Sequence, residues 1–269
     1  MNAGFDPTWS TDELISFALS HPPTDEDGDP HWEVIRILHG RGTREVFDTA
    51  TRLLTSACPM ERALGVNIHA QLGYKQDKPF AVESVQLLAN LLGTEKNEDV
   101  IYDALIAFGH LHQLECLPSA VRFVGYPDDH IRYGVAYALA GLDDERAIAT
   151  LIALTDDTSA LVRDWATFAL GSQTEWDSPE LRAALWARTA DVDDVTRGEA
   201  LKGLVHRRDA RAAEAIVAEL DGPDPYLTAV EAAEILADPC VLPALERLRV
   251  RHPGDRYVER AIAACATNG

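Results

Sequence analysis

The feature that most constrains this 269-residue chain is a short pattern that returns at the spacing of one helix pair. Ile131-Arg132, Val162-Arg163 and Thr196-Arg197 lie 31 and 34 residues apart, and Asp128-Asp129, Asp156-Asp157 and Asp193-Asp194 precede them at similar offsets. The copy over 156–171 is the clearest. Val162, Ala166, Ala169 and Leu170 share one helical face, and the alanines let a neighbouring helix come close. Thr158 or Ser159 suits the helix start and Gly171 its end, so Leu72-Gly73, Phe108-Gly109 and Leu170-Gly171 read as matching ends. Ala104, Ala136, Ala166, Ala200 and Ala232 hold comparable apolar positions. One helix pair cannot bury its apolar face alone, so a two-helix repeat of this length specifies an α-solenoid.

The rest of the chain fits that frame. Paired helices are expected at Thr43–Ala57 with Met60–Gly73, Phe80–Leu92 with Glu98–Leu111, and Leu114–Val124 with Asp129–Ala140. Further pairs are expected at Glu145–Leu154 with Ser159–Leu170, Pro179–Thr189 with Val192–Val205, Ala210–Leu220 with Asp224–Ala237, and Val241–Val250 with Asp255–Ala266. Residues 1–42 read as an N-terminal helical cap and 43–266 as the repeat array. Within the cap, Ser10-Thr11-Asp12-Glu13 opens a short helix that His21-Pro22-Pro23 stops. The acidic loop Asp25-Glu26-Asp27-Gly28-Asp29-Pro30 has the Asp-x-Asp-x-Asp spacing of a calcium loop. Pro30 stands where that loop needs glycine and Arg36 where it needs a terminal Glu, so it reads as a solvated loop.

Composition narrows the function classes. The formal charge is −20, and no basic run exceeds Arg207-Arg208 in density, which argues against nucleic acid and anionic membrane partners. A basic partner is permitted. Cys58, Cys116, Cys240 and Cys265 form no Cys-x-x-Cys pair and read as small buried apolar groups, with no disulfide framework or zinc site. The N-terminus lacks the regions of a signal peptide and no apolar run reaches membrane-spanning length, so a cytoplasmic location is expected.

Pro59-Met60-Glu61-Arg62-Ala63-Leu64-Gly65 and Leu161-Val162-Arg163-Asp164-Trp165-Ala166 resemble HEAT repeats, especially the short HEAT-like kind of phycobilisome-lyase-related proteins. The resemblance covers about residues 43–266 and implies an all-α right-handed superhelix (armadillo-type) of about seven helix pairs. The arginine is missing near Leu227-Thr228-Ala229, so arginine–acid contacts between repeats should weaken toward the C-terminus. Arg132, Arg163 and Arg197 are expected to tie an inter-helix loop or the next repeat's carboxylate, the alternative being an anion-binding row.

In HEAT-like arrays the second helices line the concave surface. A helical-wheel comparison places Tyr102, Asp103, Tyr133, Tyr137, Asp164, Trp165, Phe168, Glu199, Glu231 and Glu234 on the flank of those helices turned away from the shared core. The resemblance therefore implies an aromatic and acidic groove, suited to a basic peptide segment; the competing role for these aromatics is packing between neighbouring helices. The expected function is a non-catalytic protein-interaction scaffold without cofactor or metal. The alternative is a lyase or lyase accessory of the bilin-lyase type, which would need a hydrophobic chromophore pocket. HEAT-repeat deoxyhypusine hydroxylases hold iron through His-Glu dipeptides, and none of the nine histidines here is followed by Glu. His110-Leu111-His112 with Glu115 and Cys116 is the densest donor cluster, and it reads as a solvated helix junction. No nucleophile elbow or phosphate-binding glycine loop occurs. The sequence does not specify oligomeric state.

Overall fold

The computed structural model describes residues 4–24, 28–223, 225 and 227–267. The Asp25–Asp27 part of the acidic loop and Asp224 lie outside these. The chain divides into two compact units, residues 1–138 and 139–269. Among the described residues the regular structure is entirely helical.

In the first unit, α1 (Thr11–Ser20) pairs with α2 (Pro30–Arg41), and α3 (Arg44–Leu53) with α4 (Pro59–Gln71). Next come α5 (Ala81–Leu92) with α6 (Glu98–Leu111), then the one-turn α7 (Leu117–Ala120) and α8 (Asp129–Leu139). Local chemistry sets the starts. Ser10 and Glu13 form a reciprocal capping box on α1, Asn97 accepts the Val100 amide of α6, and Pro59 occupies the first turn of α4. The expected helix Leu114–Val124 is broken into 3₁₀ turns on either side of α7. Pro118 has no amide to continue a helix from the preceding turn, and Gly125 and Pro127 follow closely. The first helices of the unit share one core, in which Leu14, Val34, Leu38, Val46, Phe47, Leu64 and Ile68 are buried together.

The second unit repeats the plan more regularly: α9 (Glu145–Leu154) with α10 (Ala160–Ser172), α11 (Pro179–Arg188) with α12 (Asp194–His206), α13 (Ala212–Leu220) with α14 (Leu227–Leu236), and α15 (Leu242–Arg251) with α16 (Arg256–Ala266). Second helices pack on second helices: α4 on α6 in the first unit, and α10, α12, α14 and α16 in succession in the second.

That row is close because small residues line it. Gly171 and Gly109 lie in the last turns of α10 and α6, still helical, and they do more than end them. A Cβ on Gly171 would sit 3.0 Å from the Glu199 carbonyl oxygen, one on Gly203 would sit 2.7 Å from the Gly171 Cα, and one on Gly109 would strike the Tyr137 ring. Gly73 does end its helix, with a φ of +74° that favours glycine.

The recurring arginine closes each pair. Arg62, Arg132, Arg163 and Arg197 all fold back onto the two carbonyls five and six residues earlier, for Arg163 those of Asp157 (3.0 Å) and Thr158 (3.3 Å). Arg62, Arg163 and Arg197 also grip an acid further along the chain through paired hydrogen bonds. Arg62 holds Glu95 at 2.6 and 2.9 Å, Arg163 holds Asp191 at 2.8 Å twice, and Arg197 holds Glu219 at 2.9 Å twice. Burial alone would raise the Asp191 carboxyl. The Arg163 hydrogen bonds, the Asp193 amide and the nearby guanidinium charges outweigh it and hold the group below the usual range. Beyond Arg197 the links change character. Arg247–Asp221 and Arg260–Glu234 use arginines that are more than half exposed, where ion pairs contribute little.

Two outcomes follow for stability. Asp191→Ala strands the buried Arg163 charge and should lower stability in urea unfolding by about 3 kcal/mol, whereas Asp221→Ala should leave the midpoint within experimental error. Gly203→Ala should destabilise by roughly 1–3 kcal/mol because a backbone atom blocks the new methyl group. Gly40→Ala, in open space near the end of α2, should instead raise stability by about 0.5–1 kcal/mol.

Candidate functional site

In the first unit, α2, α4 and α6 leave two clefts of 570 and 510 Å³ that share Trp32, Asn67 and Asp103. They form because alanines occupy the positions between the helices: Ala70 and Ala107 line the first cleft and Ala63 the second. Three of the chain's exposed large apolar side chains stand around them, Trp32 (46% exposed) beside both, Tyr74 beside the first and Met60 beside the second. Asp103 is the polar centre. Asn67 Nδ2 donates to its Oδ2 at 3.0 Å, and His39 Nε2 lies 2.8 Å from the Asn67 carbonyl oxygen, which fixes the backbone of α4 there. Burial, resisted by the Asn67 hydrogen bond and reinforced by the Asp99 charge, pushes the Asp103 carboxyl up to about 6. Arg36 also lines the first cleft, and its charge is paired with Glu33.

The expected site residues of the first unit lie on and beside this face. Tyr102 lines the first cleft and its ring stacks on Tyr133, centroids 6.4 Å apart at 24°. Tyr133 in turn meets Tyr137 at 6.3 Å. Tyr137 is a correction to the groove expectation: its ring fills the space over Gly109 and packs against His110 at 5.5 Å, a joint between α6 and α8.

In the second unit, Asp164, Trp165 and Phe168 lie half-buried on α10, with the two rings 5.3 Å apart. Glu199 on α12 does not face outward as the wheel placed it; it is 7% exposed. The reason is the close approach at Gly171, Gly198 and Gly203, which brings α10 and α14 over the flanks of α12. Lys202 Nζ lies 2.9 Å from Glu199 Oε1 and 3.5 Å from Glu231 Oε2. Glu234 is held by Arg260 at 2.7 Å. Burial first, then the Asp193 and Glu199 charges, push the Asp164 carboxyl up to about 6 against the pull of Lys202.

The donor cluster around His110 is dispersed by its surroundings. His110 is packed on Tyr137, and burial pushes the Cys116 thiol up to about 12, far from a thiolate ligand. Among the described residues the group that brings three donors together is Asp128, Asp129 and His130. There Asp128 Oδ1 already accepts the amides of His130 (2.8 Å) and Ile131 (3.3 Å) as a helix cap. Cys116 and Cys265 are buried, but Cys58 and Cys240 are exposed, contrary to expectation, because they stand in turns between helices. Of the residues expected from the sequence, Tyr102 and Asp103 line these clefts, whereas Trp32, Met60, Asn67 and Tyr74 line them without having been expected. Asn67 of α4 stands 36 residues before Asp103 and is uncharged, so it lacks the acidic signal. An isolated surface tryptophan at position 32 was the available signal.

A family model for HEAT repeats matches residues 85–171. Protein YibA of Escherichia coli K12 is 29% identical over 133 residues, 49% of this chain and 47% of YibA, so the match spans about half the length of that relative. An X-ray structure of E. coli YibA superposes with a TM-score of 0.72 over 97% of this chain and 93% of that one, at 21% identity. A crystal structure of an engineered protein gives 0.57 over 95% of this chain and 77% of its own, at 17% identity. At these identities the two structures establish the fold alone. None of the helices in the described residues is long and apolar enough to cross a membrane. The chain therefore carries HEAT repeats over residues 85–171, and helix pairs of the same plan stand before and after that match.

Proposed function

We propose that the chain is a non-catalytic docking scaffold, and that the α2–α4–α6 face of its first unit takes an extended basic segment of a partner polypeptide. The observation that carries this reading is the joined pair of clefts, in which Asp103 sits between an exposed Trp32, Tyr74 and Met60. A carboxylate kept half-buried beside aromatic faces suits a guanidinium or ammonium group, which gains from charge and ring together. The aliphatic stems of basic side chains would cover the apolar rim. A net charge of −20 favours such a partner at long range and disfavours nucleic acid. In this reading the chain works in the cytoplasm, where unpaired thiols such as Cys58 and Cys240 persist. Neither the fold nor the relatives add support for a bilin-lyase role.

The reading makes Asp103 costly to the fold and useful to binding. Its carboxyl titrates near 6 when folded, against 3.8 for an ordinary aspartate. The native state therefore holds the extra proton between those values, and the group lowers stability as pH rises through the window. Asp103→Asn should raise stability at pH 7 by about 2 kcal/mol, allowing for partial exposure, and by nothing near pH 3.5. In anisotropy titrations with labelled acetyl-tetra-arginine amide, the same variant should bind at least tenfold more weakly, as should Trp32→Ala. Wild-type binding should weaken with added salt. Equal binding by Asp103→Asn and the wild type, or equal binding of a tetra-glutamate peptide, would sink the proposal.

A further inference from the structure

The second unit contains an unfilled demand for positive charge that its packing does not meet. Glu199, 7% exposed, turns Oε1 to Lys202 and leaves Oε2 enclosed without a hydrogen-bond partner among the described residues. Asp164 Oδ1, on the neighbouring helix α10, is likewise enclosed and without one. After burial and the Asp193 charge, the Glu199 charge also acts to raise the Asp164 carboxyl. Lys202 is shared between Glu199 and Glu231, so one cation faces three carboxyls. Enclosed carboxylate oxygens that lack donors are costly and are rarely left so in a finished structure.

We infer that Asp164 and Glu199, with the Trp165 and Phe168 rings beside them, form a receptor for a guanidinium group supplied by an arginine side chain of a bound segment. Asp164 and Phe168 are one helical turn apart on the same face of α10, and Trp165 is in ring contact with Phe168. A planar cation entering there has an aromatic surface along the same helix face as its carboxylate acceptor, an arrangement suited to arginine more than to lysine. A bare metal ion fits less well. Asp164, Glu199 and Glu231 do not bring three ligand atoms within 4.8 Å of one another, whereas a guanidinium carries five donors spread across a fork. The inference deepens the basic-segment reading and rests on it for the kind of partner. It uses only residues of the second unit.

The test uses the full chain and two small probes, N-acetyl-arginine methylamide and its neutral isostere N-acetyl-citrulline methylamide. The readout is the indole N–H resonance of Trp165 in nitrogen–proton NMR spectra, assigned with Trp165→Phe. The arginine probe should move that resonance saturably, and the citrulline probe should not. Asp164→Asn and Glu199→Gln, which keep shape and remove charge, should each weaken the response at least tenfold. Asp103→Asn should leave it unchanged, since that residue belongs to the first unit. Equal responses to both probes, an undiminished response in both acid variants, or displacement of the arginine probe by millimolar magnesium or calcium chloride would overturn the inference. Because the citrulline comparison needs no variant, it holds even if Glu199→Gln unfolds. Loss of tetra-arginine binding in Asp103→Asn with no Trp165 response to either probe would retain the first-unit reading and reject this one.

Discussion

Everything in this protein depends on second helices lying close enough to share a core while their loops are held by an arginine. Close approach is set by glycine and alanine: Gly171 against Gly203 brings α10 and α12 nearly to backbone contact. Such proximity leaves little room for loops between paired helices, and each loop must still satisfy its carbonyls. The arginine on the first turns of the second helix does that. It donates to two carbonyls behind it and, at Arg62, Arg163 and Arg197, binds one acid ahead. A single side chain thus joins a turn to the following pair, and the repeat is the unit because the arginine spans it.

The same packing explains where a binding face is available. Second helices present one flank to their neighbours and one outward, and the outward flank is deep only where side chains are small. Ala63, Ala70 and Ala107 create that depth in the first unit, so Trp32, Tyr74 and Met60 can rim it. In the second unit the glycines draw the helices tighter. Outward positions such as Glu199 become enclosed there, and their charges press on one another. Both faces keep an aspartate whose carboxyl is pushed up to about 6. A fold selected for stability alone would replace such groups, which is why they mark candidate binding positions.

Most of the architecture was legible in the chain because its signals are local. The helical period, the Pro and Asp starts and the repeated apolar-Arg step all act within one repeat, and they fix the helix pairs and the role of Arg163. What misled is what depends on neighbours. A glycine that only ends a helix and one that also admits a neighbouring element look alike in sequence, so the close approaches at Gly109 and Gly171 carry no signal of their own. A helical wheel records direction and not distance, so Glu199 read as open and Tyr137 as groove lining. Cys58 and Cys240 fall in the gaps between expected helices, and there the general tendency of free cysteines to be buried does not apply. The clefts were invisible because they are built from what is missing between α2, α4 and α6, and a small residue has no sequence signature of the space it leaves.

In the first unit a half-buried carboxylate stands ready for a cation. The direct measurement is the titration of the Asp103 carboxyl carbon by NMR, in the free protein and with saturating acetyl-tetra-arginine amide. The account predicts a midpoint near 6 in the free protein and a fall below the ordinary aspartate value of about 3.9 when the peptide is bound. An ordinary midpoint in the free protein, or one that the peptide leaves in place, would contradict it.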